Sequence, residues 1–213
     1  MGLFDMKVLA LQGSPRNNGN TNAALTELGR EFKNLGVEFE IFQIGNKPVR
    51  DCIACGACSN GSPCAFAQDG GVDVFSEKAK DASGIVIATP VYYAHPSGAV
   101  LSFLNRAFYS SHGAFAGKVG ASIAIARRAG TCATFDVMNK YFGISGMPVA
   151  ASTYWNVGFG RIKGEFTSDV EGVKTMHNLA KNMTWLMKSI EAGKQAGIQP
   201  PAYETGNMFN FIR

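Results

Sequence analysis

Apolar residues fall into two rhythms along this chain, and the rhythms alternate. Met6 to Gln12 (MKVLALQ) is a short, nearly continuous apolar run ended by Gly-Ser-Pro. That is the pattern of a strand buried on both faces, and so of a parallel sheet. After a polar loop, Leu25, Leu28, Phe32 and Leu35 recur at helical spacing, with Gly36 placed to stop the helix. Val37 to Gln43 (VEFEIFQ) alternates apolar and charged positions, which suits an edge strand with one wet face. Gly84 to Thr89 (GIVIAT) reads as a fully apolar, central strand. A helix is predicted from about Val72 to Ala82, so the connection into that strand is a right-handed crossover rather than a hairpin.

The series continues with a helix over Ser97 to Tyr109, a strand over Val119 to Ala126, a helix over Thr131 to Phe142 and a strand over Pro148 to Tyr154. Ser168 and Glu171 have capping-box spacing ahead of a closing helix. Its apolar stripe is Val173, Met176, Leu179, Ala180, Met183, Leu186, Met187 and Ile190. Five strands alternating with helices predict an α/β fold with a doubly wound parallel sheet of order 2-1-3-4-5, in which strand 1 flanks the switch point where ligands collect. The whole of 1–213 is expected to be a single domain. A cysteine-rich loop occupies 50–70 and an apolar tail 193–213. The tail carries Tyr203, Met208, Phe209, Phe211 and Ile212, and it is expected to pack on the body or on a second subunit.

Apolar residues make up 46% of the chain and charged residues 17%, which predicts a globule rather than a disordered chain. The net charge of +4 comes from 20 basic and 16 acidic residues scattered along the sequence. That balance suits a phosphate-bearing small molecule and argues against nucleic acid. No apolar run approaches the length of a membrane span, and the start MGLFDMK lacks signal-peptide character. No membrane partner and a cytoplasmic location are therefore expected.

The chemistry gathers in three loops. Gly13-Ser14-Pro15-Arg16 and Gly19-Asn20-Thr21-Asn22 separate the first strand from the first helix, where backbone N–H groups and the helix dipole converge on an anion. Ser14 and Thr21 offer hydroxyls, Arg16 a fixed charge, and Asn20 and Asn22 amides. A plain turn with Asn20 or Thr21 as helix cap is compatible with that role. The loop matches neither GxxxxGK[ST] nor GxGxxG, which leaves a mononucleotide phosphate. Thr89 to Gly98 (TPVYYAHPSG) follows the third strand and faces the same crevice, with Tyr92 and Tyr93 offering flat apolar contact. Arg127-Arg128-Ala129-Gly130-Thr131 follows the fourth strand at the same end.

Five cysteines are present and four crowd into Cys52, Cys55, Cys58 and Cys64, spaced C-x2-C-x2-C-x5-C. Structural disulfides in a reducing cytosol explain this poorly, so metal or redox chemistry leads. Gly56 relieves the backbone between thiols, and Gly61-Ser62-Pro63 is placed to fold the fourth one back. An iron-sulfur cluster fits the thiolate run, a tetrahedral zinc is the nearest metal alternative, and a loop without metal is the plain one.

Together GSPRxxGNT, the cysteine segment and TPVYYAHPSG resemble the NADPH-dependent FMN reductases and iron-sulfur flavoproteins among the flavodoxin-like proteins, over about Met6 to Trp155. The resemblance implies a three-layer αβα sandwich with FMN held by its phosphate at Ser14, Arg16, Asn20, Thr21 and Asn22. Pro90, Val91, Tyr92 and Tyr93 would skirt the isoalloxazine, and Arg128 and Gly130 would close over its pyrimidine side. Many relatives carry a glycine pair where this chain has Ala129-Gly130. A [4Fe-4S] cluster on the four thiols and NAD(P)H as co-substrate are also implied. The expected function is an oxidoreductase passing electrons from NAD(P)H or a reduced carrier to a small acceptor such as a flavin or quinone.

The alternatives are an electron carrier or redox sensor without turnover, and a non-redox phosphate-ester scaffold. No side chain is assigned a catalytic role: His95 reads as a loop residue and Cys132 as a small buried hydrophobe. A homodimer or tetramer is expected from the aromatic surplus at Phe103, Phe108, Tyr109 and Phe115 and from the tail.

Overall fold

The computed structural model describes residues 6–111 and 113–204. Strand β1 (Lys7–Gln12) alternates its side chains between two cores. Val8 and Ala10 enter one cluster with Leu25, Leu28, Phe32, Leu179 and Met183, while Leu9 and Leu11 enter the other with Phe75, Phe103 and Phe142. Because both faces are covered, the strand is apolar throughout, as period-2 geometry requires. Strands β2 (Glu38–Gln43), β3 (Gly84–Tyr92), β5 (Val119–Ala126) and β6 (Val157–Phe159) lie parallel with β1 in the order β2-β1-β3-β5-β6. The two-residue β4 (His95–Pro96) pairs antiparallel with β3. Setting β4 aside, the parallel order is the expected 2-1-3-4-5, and the fold is flavodoxin-like.

Helices α1 (Asn20–Asn34) and α5 (Val170–Gln195) cover one face; α2 (Val72–Asp81), α3 (Gly98–Tyr109) and α4 (Thr131–Ile144) cover the other. Edge strand β2 keeps polar residues in use: Glu40 accepts ion pairs from Lys7 at 2.7 Å and Lys78 at 2.6 Å. These hold its carboxyl below the ordinary range, with Lys7 the larger influence. The stripe on α5 packs as expected, although the N-cap is Asp169, whose Oδ1 accepts the Gly172 N–H at 2.9 Å, rather than Ser168. Among the described residues no helix is long and apolar enough to cross a membrane.

The last strand differs from its sequence reading. Residues 148–154 contribute only a bridge between Val149 and Gly120, and the ladder resumes at Val157 opposite Ala124. In between, α5 reaches the segment: Asn182 Nδ2 donates to the Ala151 carbonyl at 2.7 Å and Asn178 Nδ2 to the Thr153 side-chain hydroxyl at 3.3 Å. An edge strand has one partner, so side chains can substitute for it where the chain bulges.

The aromatic surplus is absorbed within the chain's own core. Phe103, Phe108 and Phe115 are buried, and Phe108 meets Phe115, Tyr141 and Phe142 edge-on, which leaves Tyr109 as the exposed member. Tyr203 is also exposed. Met208, Phe209, Phe211 and Ile212 lie outside the described residues.

Candidate functional site

The carboxyl ends of β1, β3 and β5 bring the three sequence-predicted loops to one end of the sheet. In the first, Gly13 donates its N–H to the Ala88 carbonyl at 2.8 Å, tying the loop to β3. Ser14 is buried. Its N–H donates to Gln12 Oε1 at 2.6 Å, its carbonyl accepts Gln43 Nε2 at 2.6 Å, and its Oγ accepts the Arg16 N–H at 3.2 Å. Ser97, the N-cap of α3, donates its hydroxyl to the Gly13 carbonyl at 3.3 Å. The loop is therefore fixed from β1, β2 and α3 together.

Helix α1 begins at this loop with Gly19 as N-cap, no capping side chain and no acidic residue in its first turn. Neither Asn20 nor Thr21 serves as the cap. The first-turn N–H groups of a 15-residue helix are thus left for an external acceptor. Thr21 is buried beside them and Arg16 is exposed. This arrangement fits a phosphate monoester: a donor-rich, uncapped helix end with a hydroxyl and a guanidinium at hand.

Asn20 takes a different position from the one its sequence place suggests. Its Nδ2 donates to the Ile162 carbonyl at 2.9 Å, and its Oδ1 accepts the Phe166 N–H at 3.1 Å. Arg161 and Lys163, from the turn so held, line a cavity of about 650 Å³ together with Arg16, Gly19, Asn20 and Gln43. Sequence reading missed both cations, because nothing local marks Arg161-Ile162-Lys163 as neighbours of a loop some 140 residues earlier; only the basic pair flanked by Gly160 and Gly164 was available as a signal.

In the second loop, Tyr92 pairs with His95 and Val91 with Pro96. Tyr93 and Ala94 form the hairpin tip with φ of 50° and 61°, the two-residue geometry whose central positions both need positive φ. Tyr93 is fully exposed, at 103% of its reference area, and Tyr92 is half exposed. The third loop touches that tip. Gly130, the N-cap of α4, has φ +90°, and a Cβ there would stand 2.7 Å from Ala94 Cα. Gly130 is thus a packing partner of the hairpin, whatever else it meets. Arg127 and Arg128 are exposed and form no ion pair among the described residues. His95 and Cys132 are exposed, so Cys132 is not the buried hydrophobe expected of it.

The cysteine segment is anchored at its ends and open in its middle. Asp51 Oδ1 accepts the Cys52 N–H at 2.7 Å and Asn105 Nδ2 at 2.9 Å, and Tyr141 donates its hydroxyl to Asn105 Oδ1. Burial first, and then Asp51, push the Tyr141 phenol above its ordinary range. At the other end Arg106 donates to the carbonyls of Phe66 at 2.6 Å and Asp69 at 2.9 Å. Between the anchors Cys52 and Cys55 are exposed, Cys58 is buried, Cys64 is partly covered, and all are free thiols. Ala54 and Gly56 have positive φ, and Gly61 closes the short turn at Cys58–Asn60 with φ 80°. Among the described residues no three metal-ligating side chains come together. The four thiols thus differ in exposure, one buried, one partly covered and two open to solvent.

Comparison with known proteins follows the same lines. An iron-sulfur flavoprotein of Methanocaldococcus jannaschii is 29% identical over 194 residues, covering 87% of this chain and 100% of that protein. One from Methanosarcina thermophila is 28% identical over 194 residues, covering 89% and 99%. The crystal structure of RosB, which holds 8-demethyl-8-formylriboflavin-5'-phosphate, superposes with a TM-score of 0.68 at 17% identity over 97% of this chain and 92% of that one. An NADH:FMN oxidoreductase gives 0.59 at 16% identity, over 84% and 89%; at such identities the likeness is one of fold. The sequence model of the NADPH-dependent FMN reductases matches residues 6–161, most of the chain, and the chain belongs to that family.

Proposed function

We propose that this protein is an FMN-dependent oxidoreductase that takes electrons from NAD(P)H or a reduced carrier and passes them to a small acceptor. The observation that carries the reading is the uncapped start of α1 beside Ser14, Arg16 and Thr21, a phosphate seat at the same end of the sheet as the Tyr92-Tyr93 hairpin. Ser14, Arg16, Thr21, Asn22 and the first-turn amides of α1 hold the phosphate. Pro90, Val91, Tyr92 and Tyr93 flank the ring, and Arg128 and Gly130 close its far side. When bound, FMN supplies the hydride and electron chemistry. The chain's residues bind and orient it: buried Ser14 shapes the loop, Arg16 offsets phosphate charge, and the hairpin leaves Tyr93 free to cover a flat partner.

Two measurements test this reading. FMN is expected to bind more tightly than riboflavin, and Ser14→Ala or Arg16→Ala to weaken FMN by about 1 to 3 kcal/mol. Unchanged dissociation constants in both variants would move the site elsewhere. Steady-state NAD(P)H oxidation with quinone, flavin or ferric acceptors is expected to turn over robustly; photoreducible flavin without turnover would favour the electron carrier.

That second reading draws on the names of the relatives and on the four cysteines. It places a [4Fe-4S] site on Cys52, Cys55, Cys58 and Cys64, of which Cys58 is buried and Cys52 and Cys55 are exposed. Anaerobic reconstitution with iron and sulfide analysis is expected to load it. Less than about one iron per chain, with four thiols still titratable, would leave the segment a plain loop.

A further inference from the structure

We propose that the Gly160–Gly164 turn is a second wall of the phosphate site, with Arg161 and Lys163 as phosphate-selecting residues and Asn20 as the positioning residue that holds them there. The proposal rests on the FMN reading and goes beyond it, because it takes the decision between phosphorylated and unphosphorylated ligands partly away from the loop after β1.

The turn is built to stay where it is. Gly160 donates its N–H to the Ala126 carbonyl at 2.9 Å, which ties it to the end of β5. A Cβ at Gly160 would lie 2.5 Å from Asn20 Nδ2 and 3.0 Å from the Phe166 nitrogen, so the turn meets α1 at a distance that only glycine permits. Both polar ends of the Asn20 side chain are engaged here, one at Ile162 in the turn and one at Phe166 just after it. Glu165 Oε2 accepts the N–H groups of Arg161 at 2.6 Å and Ile162 at 3.0 Å, closing the turn from inside. Those two N–H groups, Ile162 first, hold the Glu165 carboxyl below its ordinary range, so the brace persists through neutral pH.

Alternation does the rest. Arg161 and Lys163 are two residues apart and line the cavity, whereas Ile162 between them is exposed and absent from its lining. With Arg16 they place three cations around the cavity of about 650 Å³, and no acidic side chain lines it. A phosphate monoester carries nearly two negative charges at neutral pH. The helix end offers about half a positive charge and Arg16 one more, which falls short of the dianion and leaves the remainder to the turn.

The test is a titration of FMN and riboflavin, by flavin fluorescence, into four proteins: unaltered, Arg161→Gln/Lys163→Gln, Asn20→Ala, and the triple variant. A charge-matched control, Lys33→Gln/Lys188→Gln, alters exposed positions away from the cavity. The double variant is expected to bind FMN about tenfold more weakly at low salt, with riboflavin affinity unchanged as its own check on folding. The control is expected to stay within about twofold.

Asn20→Ala is expected to weaken FMN severalfold, and that effect should vanish in the triple variant, since a residue that acts through the turn has nothing left to position. An Asn20 effect that adds fully in the triple variant would make Asn20 a direct ligand and overturn its positioning role. FMN preference that survives intact in the double variant would overturn the second wall while leaving the FMN reading in place. Equal affinities for FMN and riboflavin in the unaltered protein would overturn both.

Discussion

Replacing Gly13 with alanine is expected to weaken FMN by about tenfold or more and to destabilise the fold by about 1 to 3 kcal/mol, the usual range for overpacking. The added Cβ would stand 2.2 Å from Val100 Cγ2 and 2.9 Å from the Ala88 carbonyl oxygen. Val100 is a stiff β-branched residue in the first turn of α3, fully buried, so its methyl has no free rotamer to take. The Ala88 carbonyl is fixed in β3 and already accepts the Gly13 N–H. The strain must therefore fall on the loop. Moving Gly13 disturbs the Ser97 hydroxyl that donates to its carbonyl and, next to it, the Ser14 backbone gripped by Gln12 and Gln43. Urea unfolding and FMN titration check the two halves separately. A variant with native stability and native FMN affinity would mean that the loop has slack the geometry denies.

Much of this site was legible in the sequence because its parts sit where periodic elements end. The run MKVLALQ followed by Gly13 put a loop at the head of a helix, and the apolar run at Gly84 put Pro90 to Tyr93 at the same end of the sheet, although β3 continues through Tyr92 where the sequence reads as a loop from Thr89 onward. Strand order followed from the alternation of strands and helices, for which a doubly wound sheet with strand 1 at the switch point is the simplest topology. What escaped is non-local. Asn20 looked like a free ligand or a cap, because a sequence does not show that its amide is engaged at Ile162 and Phe166. Residues 148–154 looked like a strand because they are apolar enough, yet past the Val149 bridge the Ala151 carbonyl is taken by Asn182 of α5. Phe103, Phe108 and Phe115 looked like surplus because the depth of the α3–α4 core is a tertiary quantity. The tip at Tyr93-Ala94 carries positive φ without glycine or asparagine, so the usual turn signal was missing.

Arg106→Met is expected to cost about 2 to 4 kcal/mol of stability and to open the cysteine segment selectively. Arg106 is the largest fully buried side chain, 1% exposed, and it forms no ion pair among the described residues. Its charge is met by two carbonyls, Phe66 and Asp69, while its Nε finds no partner among the described residues. Hydrogen bonds to a charged group contribute about 1.5 to 3 kcal/mol each, and methionine, which fills most of the volume, removes both. Relief of the unpartnered Nε and of the buried charge offsets part of that loss, which sets the lower end of the range.

The effect should be local as well as global, because residues 66–69 are the far anchor of the excursion whose near anchor is Asp51 on Asn105. Releasing one anchor leaves Cys58, the buried thiol, free to reach solvent. Its reaction with a thiol reagent is expected to quicken many-fold while that of exposed Cys132 stays constant. Amide exchange should rise across 50–70 before it rises in β1 or β3. Arg106→Lys, which keeps the charge but can reach one carbonyl at best, is expected to fall between the two. If Arg106→Met unfolds at the native urea concentration and Cys58 reacts at its native rate, the cysteine segment is held by something other than α3.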